Sequence, residues 1–365
     1  MDAFRPLHSR GQLSWIVPDG VLSGTVEAVE RNLPCYIKKI KIMTKTAITR
    51  VSTLIASLLV FLVSATSSAE SIRFGVVAPE GHPWIQVMQQ FKSNLNTPTS
   101  PINVKESRFV KVRGEAAILE MLGSGELQAG IIAVESLTTF DPALNGWLVP
   151  FQFHKLDQLE AAAKSPEGQT MLTNLQNYNL VGLGYTFSGM RNIMSPKPLN
   201  SVEDLKGKRV RSFANDMFHN WYRRLGAEPK VIQVQDLVVN LQKNEIDAVD
   251  CDLATAVGME LDKAAPYLLH TNHMASPGIF VVSKKWWDVQ SPQTQARITD
   301  AFSRAQTAGF ELLAQSERDN LKTLRDRGVT VKEIPEAQFG DAPQKLRDFY
   351  YSTNLRIQQF GVAVQ

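Results

Sequence analysis

Two arginines are the residues whose type and placement point most directly to chemistry in this sequence. Arg191 follows Gly184-Tyr-Thr-Phe-Ser-Gly-Met190 after an apolar segment, and Arg211 lies on a short β-forming segment after Lys206-Gly207. Both fall where a strand begins or ends, and in open α/β sheets ligands gather at the carboxyl ends of strands. A guanidinium there suits a carboxylate, because its planar fork donates two parallel charge-assisted hydrogen bonds. For each arginine the competing assignment is a surface ion pair.

No reactive set accompanies them. There is no G-x-S-x-G elbow, no H-E-x-x-H and no Walker loop. Gly182-Leu-Gly184 lacks the third glycine and the acidic residue of a dinucleotide site. His270 and His273 are spaced to share a helix face, but no third ligand is near in sequence, so no metal is expected. Cys251 reads as a small buried hydrophobe. The expectation is a binding protein, not an enzyme, with no cofactor.

The elements that must position these residues alternate between strand and helix. Strands are predicted over 71–77, 102–109, 129–134, 180–185, 209–213, 230–233 and 248–251, with helices over 84–95, 115–122, 156–178, 202–205, 216–225 and 235–243. Such a βαβ rhythm implies parallel sheets covered by helices on both faces. After the N-cap pair Ser291-Pro292, helix-compatible sequence runs without proline to Arg327 and stops at Gly328. A helix of that length would span roughly 54 Å, wider than one small domain. It is expected to cross between two domains, the alternative being two shorter helices broken near Gly309.

The chain has 365 residues, with 39 Lys plus Arg against 36 Asp plus Glu, 44% hydrophobic and 21% charged. Those values fit a globular protein of about two domains and exclude disordered, collagen-like and coiled-coil classes. The positive balance is local. No acidic residue lies between Arg31 and Glu70, while Arg31, Lys38, Lys39, Lys41, Lys45 and Arg50 precede a 13-residue apolar run, Val51 to Val63, and then small residues to Ala69. Basic region, apolar region and small-residue site form a secretory signal, and the run is too short to span a membrane. Residues 43–69 are therefore expected to be a signal peptide cleaved after Ala69, and 1–42 a non-native or untranslated extension. Residues 70–365 then carry 31 basic and 32 acidic side chains and one cysteine, Cys251, so no internal disulfide is possible. A near-neutral exported chain argues against nucleic acid and for the bacterial periplasm.

Several segments in register carry a family resemblance. Phe74-Gly-Val-Val-Ala-Pro-Glu-Gly-His-Pro-Trp84, Gly189-Met-Arg191, Pro196 to Arg211, Arg224-Leu-Gly-Ala227, Leu241 to Ala248 and Val281-Val-Ser-Lys-Lys-Trp-Trp287 resemble the DctP-type solute-binding proteins of TRAP transporters. The resemblance spans 71 to about 330. It implies two α/β domains with a hinge and central cleft, the periplasmic solute-binding fold, with a long helix crossing both. The expected division is 70–188 plus about 277–316 for the first domain and 189–276 plus about 317–365 for the second. The resemblance further implies that Arg211 binds the ligand carboxylate, that Arg191 is a second cleft arginine, and that Glu135 matches a cleft glutamate of some members.

At 247–251 the family usually reads Asp-Gly-Gln-Glu-Asn; here Asp250 replaces the glutamate and Cys251 the asparagine. A thiol is a weak donor, so one polar ligand contact is expected to be lost. Ser212-Phe213 stands where Val-Pro is usual. With Tyr185, Phe187, Trp147 and Phe213 near strand ends, the expected pocket is less polar than that of a sialic-acid or C4-dicarboxylate binder, and the expected ligand a monocarboxylate with an apolar or aromatic body. The competing assignment for these aromatics is core. The expected partners are a small carboxylate and the membrane permease subunits of a TRAP transporter, the protein acting as a monomer. The alternatives are a periplasmic sensor that presents the loaded form to a receptor or kinase, and an exported enzyme acting on an organic acid.

Overall fold

The computed structural model describes residues 71–97, 100–108 and 114–364. The expected extension, the signal segment and its cleavage after Ala69 lie outside the described residues.

Strands β1 (Ser71–Val76), β2 (Asn103–Arg108) and β3 (Ala129–Ala133) form a parallel set with β1 in the middle. β4 (Leu180–Ser195) follows, 16 residues long. A second parallel set comprises β5 (Arg209–Ser212), β6 (Glu228–Val231) and β7 (Ala248–Asp252), with β5 in the middle. β8 (Tyr267–Ser283) then runs antiparallel to β4 for most of its length. With β9 (Thr330–Glu333) beside the start of β8, these strands build a sheet ordered β2-β1-β3-β8-β4-β7-β5-β6. The first lobe joins this sheet through β3 on the end of β8, and the second through β7 on the end of β4. Two α/β lobes thus share one pair of long strands.

The short parallel strands form where the sequence predicts them, and the long pair corrects the prediction twice. The sheet is mixed, and Arg191 lies inside β4, not after a strand ending at 185. β8 is absent from the sequence reading; His270 and His273 lie on it, so they do not share a helix face. β4 is buried almost throughout its length, which removes the polar alternation that marks a strand. β8 carries register shifts between Leu269 and Met274 and between Ala275 and Pro277, and proline is admitted to a strand at such irregularities. Beside them Gly189 has φ +119°, and a Cβ there would lie 1.9 Å from the Glu317 carboxylate, so any side chain would be strained and would displace Glu317.

Among the helices, α1 (Pro83–Leu95) and α2 (Gly114–Ser124) belong to the first lobe, while α3 (Asp216–Arg224) and α4 (Leu253–Gly258) belong to the second. The predicted helix 156–178 is instead Leu156–Lys164, then Pro166–Asn174, then a 3-10 turn. Pro166 cannot continue the first helix, and Ser165 caps the second by accepting from Gly168 N. The long helix α5 (Pro292–Asp326) is 35 residues and unbroken at Gly309. Ile298, Phe302 and Ala305 pack it into the first lobe with Phe280, Phe91 and Phe74, whereas Leu324 joins the second-lobe core of Met194, Val249 and Leu268. At the C-terminus, α6 (Ala342–Thr353) packs on α3 of the second lobe, where Asn220 Nδ2 donates to the Tyr350 hydroxyl at 3.1 Å, and α7 (Leu355–Ala363) returns to the first lobe, where Phe360 meets Trp147 at 4.7 Å between ring centroids.

Candidate functional site

A cavity of about 570 Å3 lies between the lobes, within the range of small-molecule sites. Both parallel sets aim their carboxyl ends at it. From the first lobe come Val77, just past β1, and Glu135 and Ser136 in the turn that follows β3; from the second come Arg211, Ser212 and Phe213 at the end of β5 and Cys251 and Asp252 at the end of β7. Trp84, Phe140 and Leu119 supply apolar wall.

Arg191 reaches the cavity from β4 and is almost wholly committed to protein partners. Its Nε donates to Asp250 Oδ1 at 2.6 Å, Nη2 to the Asp250 carbonyl at 3.0 Å, and Nη1 to Glu135 Oε1 and Ser276 Oγ, both at 3.3 Å. Asp250 is fully buried and also accepts from Tyr222 at 2.5 Å, with His273 Nε2 at 3.3 Å. Burial alone would raise its pKa, but Arg191, His273 and Tyr222 together hold the carboxyl down at about 2. Glu135 has weaker support: burial outweighs Arg191 and pushes it up to about 7, and its Oε2 is buried without a hydrogen bond. Asp252, held below its usual range by His82 despite its burial, lies 3.6 Å from that imidazole, which belongs to the first lobe.

Arg211 is equally buried, at 3% exposure, and differently served. Nε donates to the Ile232 carbonyl and Nη1 to the Asp250 carbonyl, each at 2.9 Å, and among the described residues no carboxylate lies within ion-pair distance. Its Nη2 has no acceptor among the described residues. Burial, and then repulsion from Arg191, pull its pKa down to about 10. Phe213 sits against both cations, 4.1 Å from the Arg211 guanidinium carbon and 4.7 Å from that of Arg191. Such cation–π contacts contribute about 2 kcal/mol when desolvated, and Arg211 and Phe213 both line the cavity.

Of the residues singled out from sequence, Arg191, Arg211, Glu135, Phe213 and Cys251 line the cavity. Asp250 stands directly behind it. Trp147, Tyr185 and Phe187 do not line it, which corrects the expected aromatic pocket: they form a buried cluster with Phe153 and Phe360, and the Tyr185 hydroxyl donates to the Gly168 carbonyl at 2.8 Å. Aromatic area of this size is most effectively buried in core. The Cys251 thiol is 2% exposed, and burial raises its pKa, so it remains protonated.

The sequence reading missed His82, Asp252, Ser276 and Tyr222, and weighed His273 only as a metal ligand. His82 and Tyr222 carried some signal. His82 stands at the N-cap of α1 and accepts from Trp84 N, and Tyr222 lies on the apolar face of α3 with Phe218 and Trp221, where a buried hydroxyl needs a partner. Asp252 and Ser276 are polar residues in strands or at their ends, with no distinguishing pattern.

Two α/β lobes close over a cavity lined by two buried arginines. Residues 74–354 match the model of the DctP family, described as bacterial extracellular solute-binding protein family 7, and the chain belongs to that family. The 2,3-diketo-L-gulonate-binding periplasmic protein YiaO of Escherichia coli is 24% identical over 310 residues, 81% of this chain and 91% of that one. A TRAP periplasmic solute-binding protein from Xanthobacter autotrophicus, solved with β-D-galacturonate, superposes with TM-score 0.76 at 24% identity over 80% of this chain and 98% of that one. Another from Shewanella oneidensis, solved with succinate, gives 0.77 at 19% identity over 81% and 99%.

Proposed function

We propose that the protein is the periplasmic solute-binding subunit of a TRAP-type transporter, and that Arg211 binds the carboxylate of an organic acid in the interlobe cavity. The observation that carries this reading is the buried guanidinium of Arg211, which among the described residues has no carboxylate partner and an unused Nη2 at the cavity wall. A buried charge without a counterion is costly, and a ligand carboxylate would remove that cost. The acids bound by its structural relatives, galacturonate and succinate, are of the required kind.

Arg191–Glu135 and His82–Asp252 join the two lobes across the cavity. In an open form these contacts would be broken, and a ligand touching both lobes would favour closure through its extra contacts with the closed state. Gly189 on β4 and the irregular stretch 269–277 of β8 are the proposed hinge, consistent with a division of the lobes near 189 and 276. The closed, loaded form, a monomer, would then dock on the membrane subunits.

Calorimetry on residues 70–365 with a panel of organic acids tests the assignment. Arg211→Met should weaken the best ligand at least about 30-fold, the equivalent of about 2 kcal/mol. Wild-type affinity in that variant would sink the role given to Arg211.

A further inference from the structure

The two lobes also meet just outside the cavity wall, at the N-terminus of α3. Asn215 caps that helix: its Oδ1 accepts from Phe218 N at 3.2 Å. The same side chain donates through Nδ2 to two first-lobe groups, Thr138 Oγ1 at 2.7 Å and Asn145 Oδ1 at 3.1 Å. Capping fixes which end of the amide is which, since a flipped amide would set Nδ2 against the Phe218 N–H. Both first-lobe groups are likewise committed as acceptors. The Thr138 hydroxyl gives its proton to the Glu135 carbonyl at 2.8 Å, and the Asn145 amide donates to the Pro142 carbonyl at 3.1 Å. Asn215, Thr138 and Asn145 are all buried. None of the three lines the cavity, although their neighbours Ala214 and Thr139 do.

A cap asks only for an acceptor, and serine or aspartate supplies one as well as asparagine does. Asparagine adds two amide N–H groups, and here both are directed to the other lobe. We infer that Asn215 is a positioning residue for ligand retention: it fastens α3 to the first lobe in the closed form and raises the affinity for a bound acid without touching it. This role rests on the reading of the cavity as a ligand site that closes, and adds what holds it shut. Separating the lobes at this point breaks both hydrogen bonds, so their contribution exists only in the closed form and biases the equilibrium toward it. The fastening is tied to the cavity from both sides. Thr138 bonds the backbone of Glu135, whose carboxylate meets Arg191, and Tyr222, further along α3, bonds Asp250, the other partner of Arg191. Because the contact lies outside the wall, it favours every ligand by the same factor, whereas a residue that touches the ligand discriminates among ligands.

Two variants test it. Asn215→Ser separates the fastening from the cap, because serine still caps α3 but its side chain ends short of both first-lobe acceptors. The double variant Thr138→Cys, Asn215→Cys puts two thiols in place of the 2.7 Å contact, so oxidation locks the closed form; Cys251 is buried and does not compete. In small-angle X-ray scattering without ligand, the oxidised double variant should be more compact than Asn215→Ser, and reduction should remove the difference. Identical profiles would overturn the inference, since the contact would then not govern closure. In calorimetry with D-galacturonate and with succinate, Asn215→Ser should weaken each acid that the wild type binds by one common factor of about tenfold or more, expressed in faster dissociation. Unchanged affinity would overturn the inference and leave Arg211 as the anchor. Weakened binding in Asn215→Ser with wild-type affinity in Arg211→Met would do the opposite. A loss confined to one of the two acids would make Asn215 a ligand contact and overturn its role in closure. Should neither acid bind the wild type, the scattering comparison alone decides.

Discussion

Arg191 and Arg211 line the same cavity, are buried to within one per cent of each other and touch the same phenyl ring, yet their surroundings give them different work. Arg191 answers two carboxylates and closes a network through Asp250 to Tyr222 and His273. Arg211 is held by two backbone carbonyls and, among the described residues, meets no acid within ion-pair distance. The first arginine completes charges that the fold has already buried. The second holds a charge ready for something that arrives later. Residue type and burial are shared; only the partners separate scaffold from anchor.

Stability measurements should separate the two most strongly. Arg191→Met strands Asp250 and Glu135 in the interior, and removing one member of a buried ion pair costs about 3–5 kcal/mol. Arg211→Met removes a buried cation that has no counterion, so its denaturation midpoint should stay within a range equivalent to about 1 kcal/mol. Equal losses in urea titrations of the two variants would erase the distinction. Ligand affinity should reverse the order: Arg211→Met abolishes tight binding, whereas whatever Arg191→Met protein folds should retain a carboxylate anchor.

A second difference within the molecule is between Asp250, which Arg191, Tyr222 and His273 all serve, and Glu317 on α5, which among the described residues has only a backbone hydrogen bond from Met190. Burial and the neighbouring Asp252 push Glu317 up to about 8, and one of its oxygens is buried without a hydrogen bond. The folded state therefore binds this proton more tightly than the unfolded chain does. Its contribution is fully present below about pH 4.5 and is lost as pH rises toward about 8. Unfolding midpoints should fall across that window, and Glu317→Gln should flatten the fall. An unchanged pH profile in the variant would remove Glu317 from the account. Because Glu317 lies against Gly189, the same titration reports on the crossing point of the lobes.

The smallest effect belongs to Cys251. It lines the cavity at the end of β7, but a protonated thiol is a weak donor. Cys251→Ala should alter ligand affinity by less than about threefold, and a tenfold loss would promote the thiol to a ligand contact.

Much of the fold was legible because short buried strands and their helices write themselves locally. Ala129–Ala133, Ala248–Asp252 and the capped helix beginning at Ser291-Pro292 each carry their own period and punctuation. β4 and β8 were not legible, since they pass from one core to another and are buried on both sides, so their residues answer to different neighbours along their length. The same divide runs through the site. Arg191, Arg211, Glu135, Phe213 and Cys251 could be nominated from motif and position. The withdrawal of Trp147, Tyr185 and Phe187 into the core could not, because an aromatic near a strand end is equally suited to wall or core until its neighbours are known.

The sequence by itself determined the family, the two α/β lobes, the helix that crosses them and the two arginines, because these depend on local pattern and on residue types whose chemistry travels with them. Only the tertiary structure decided which arginine is paired and which is free. Asp250 comes from β7, Glu135 from the turn after β3 and Ile232 from just past β6. Electrostatic partnership falls off over a few ångströms of space, and residues separated by dozens of positions in the chain are set that close only by the folded sheet.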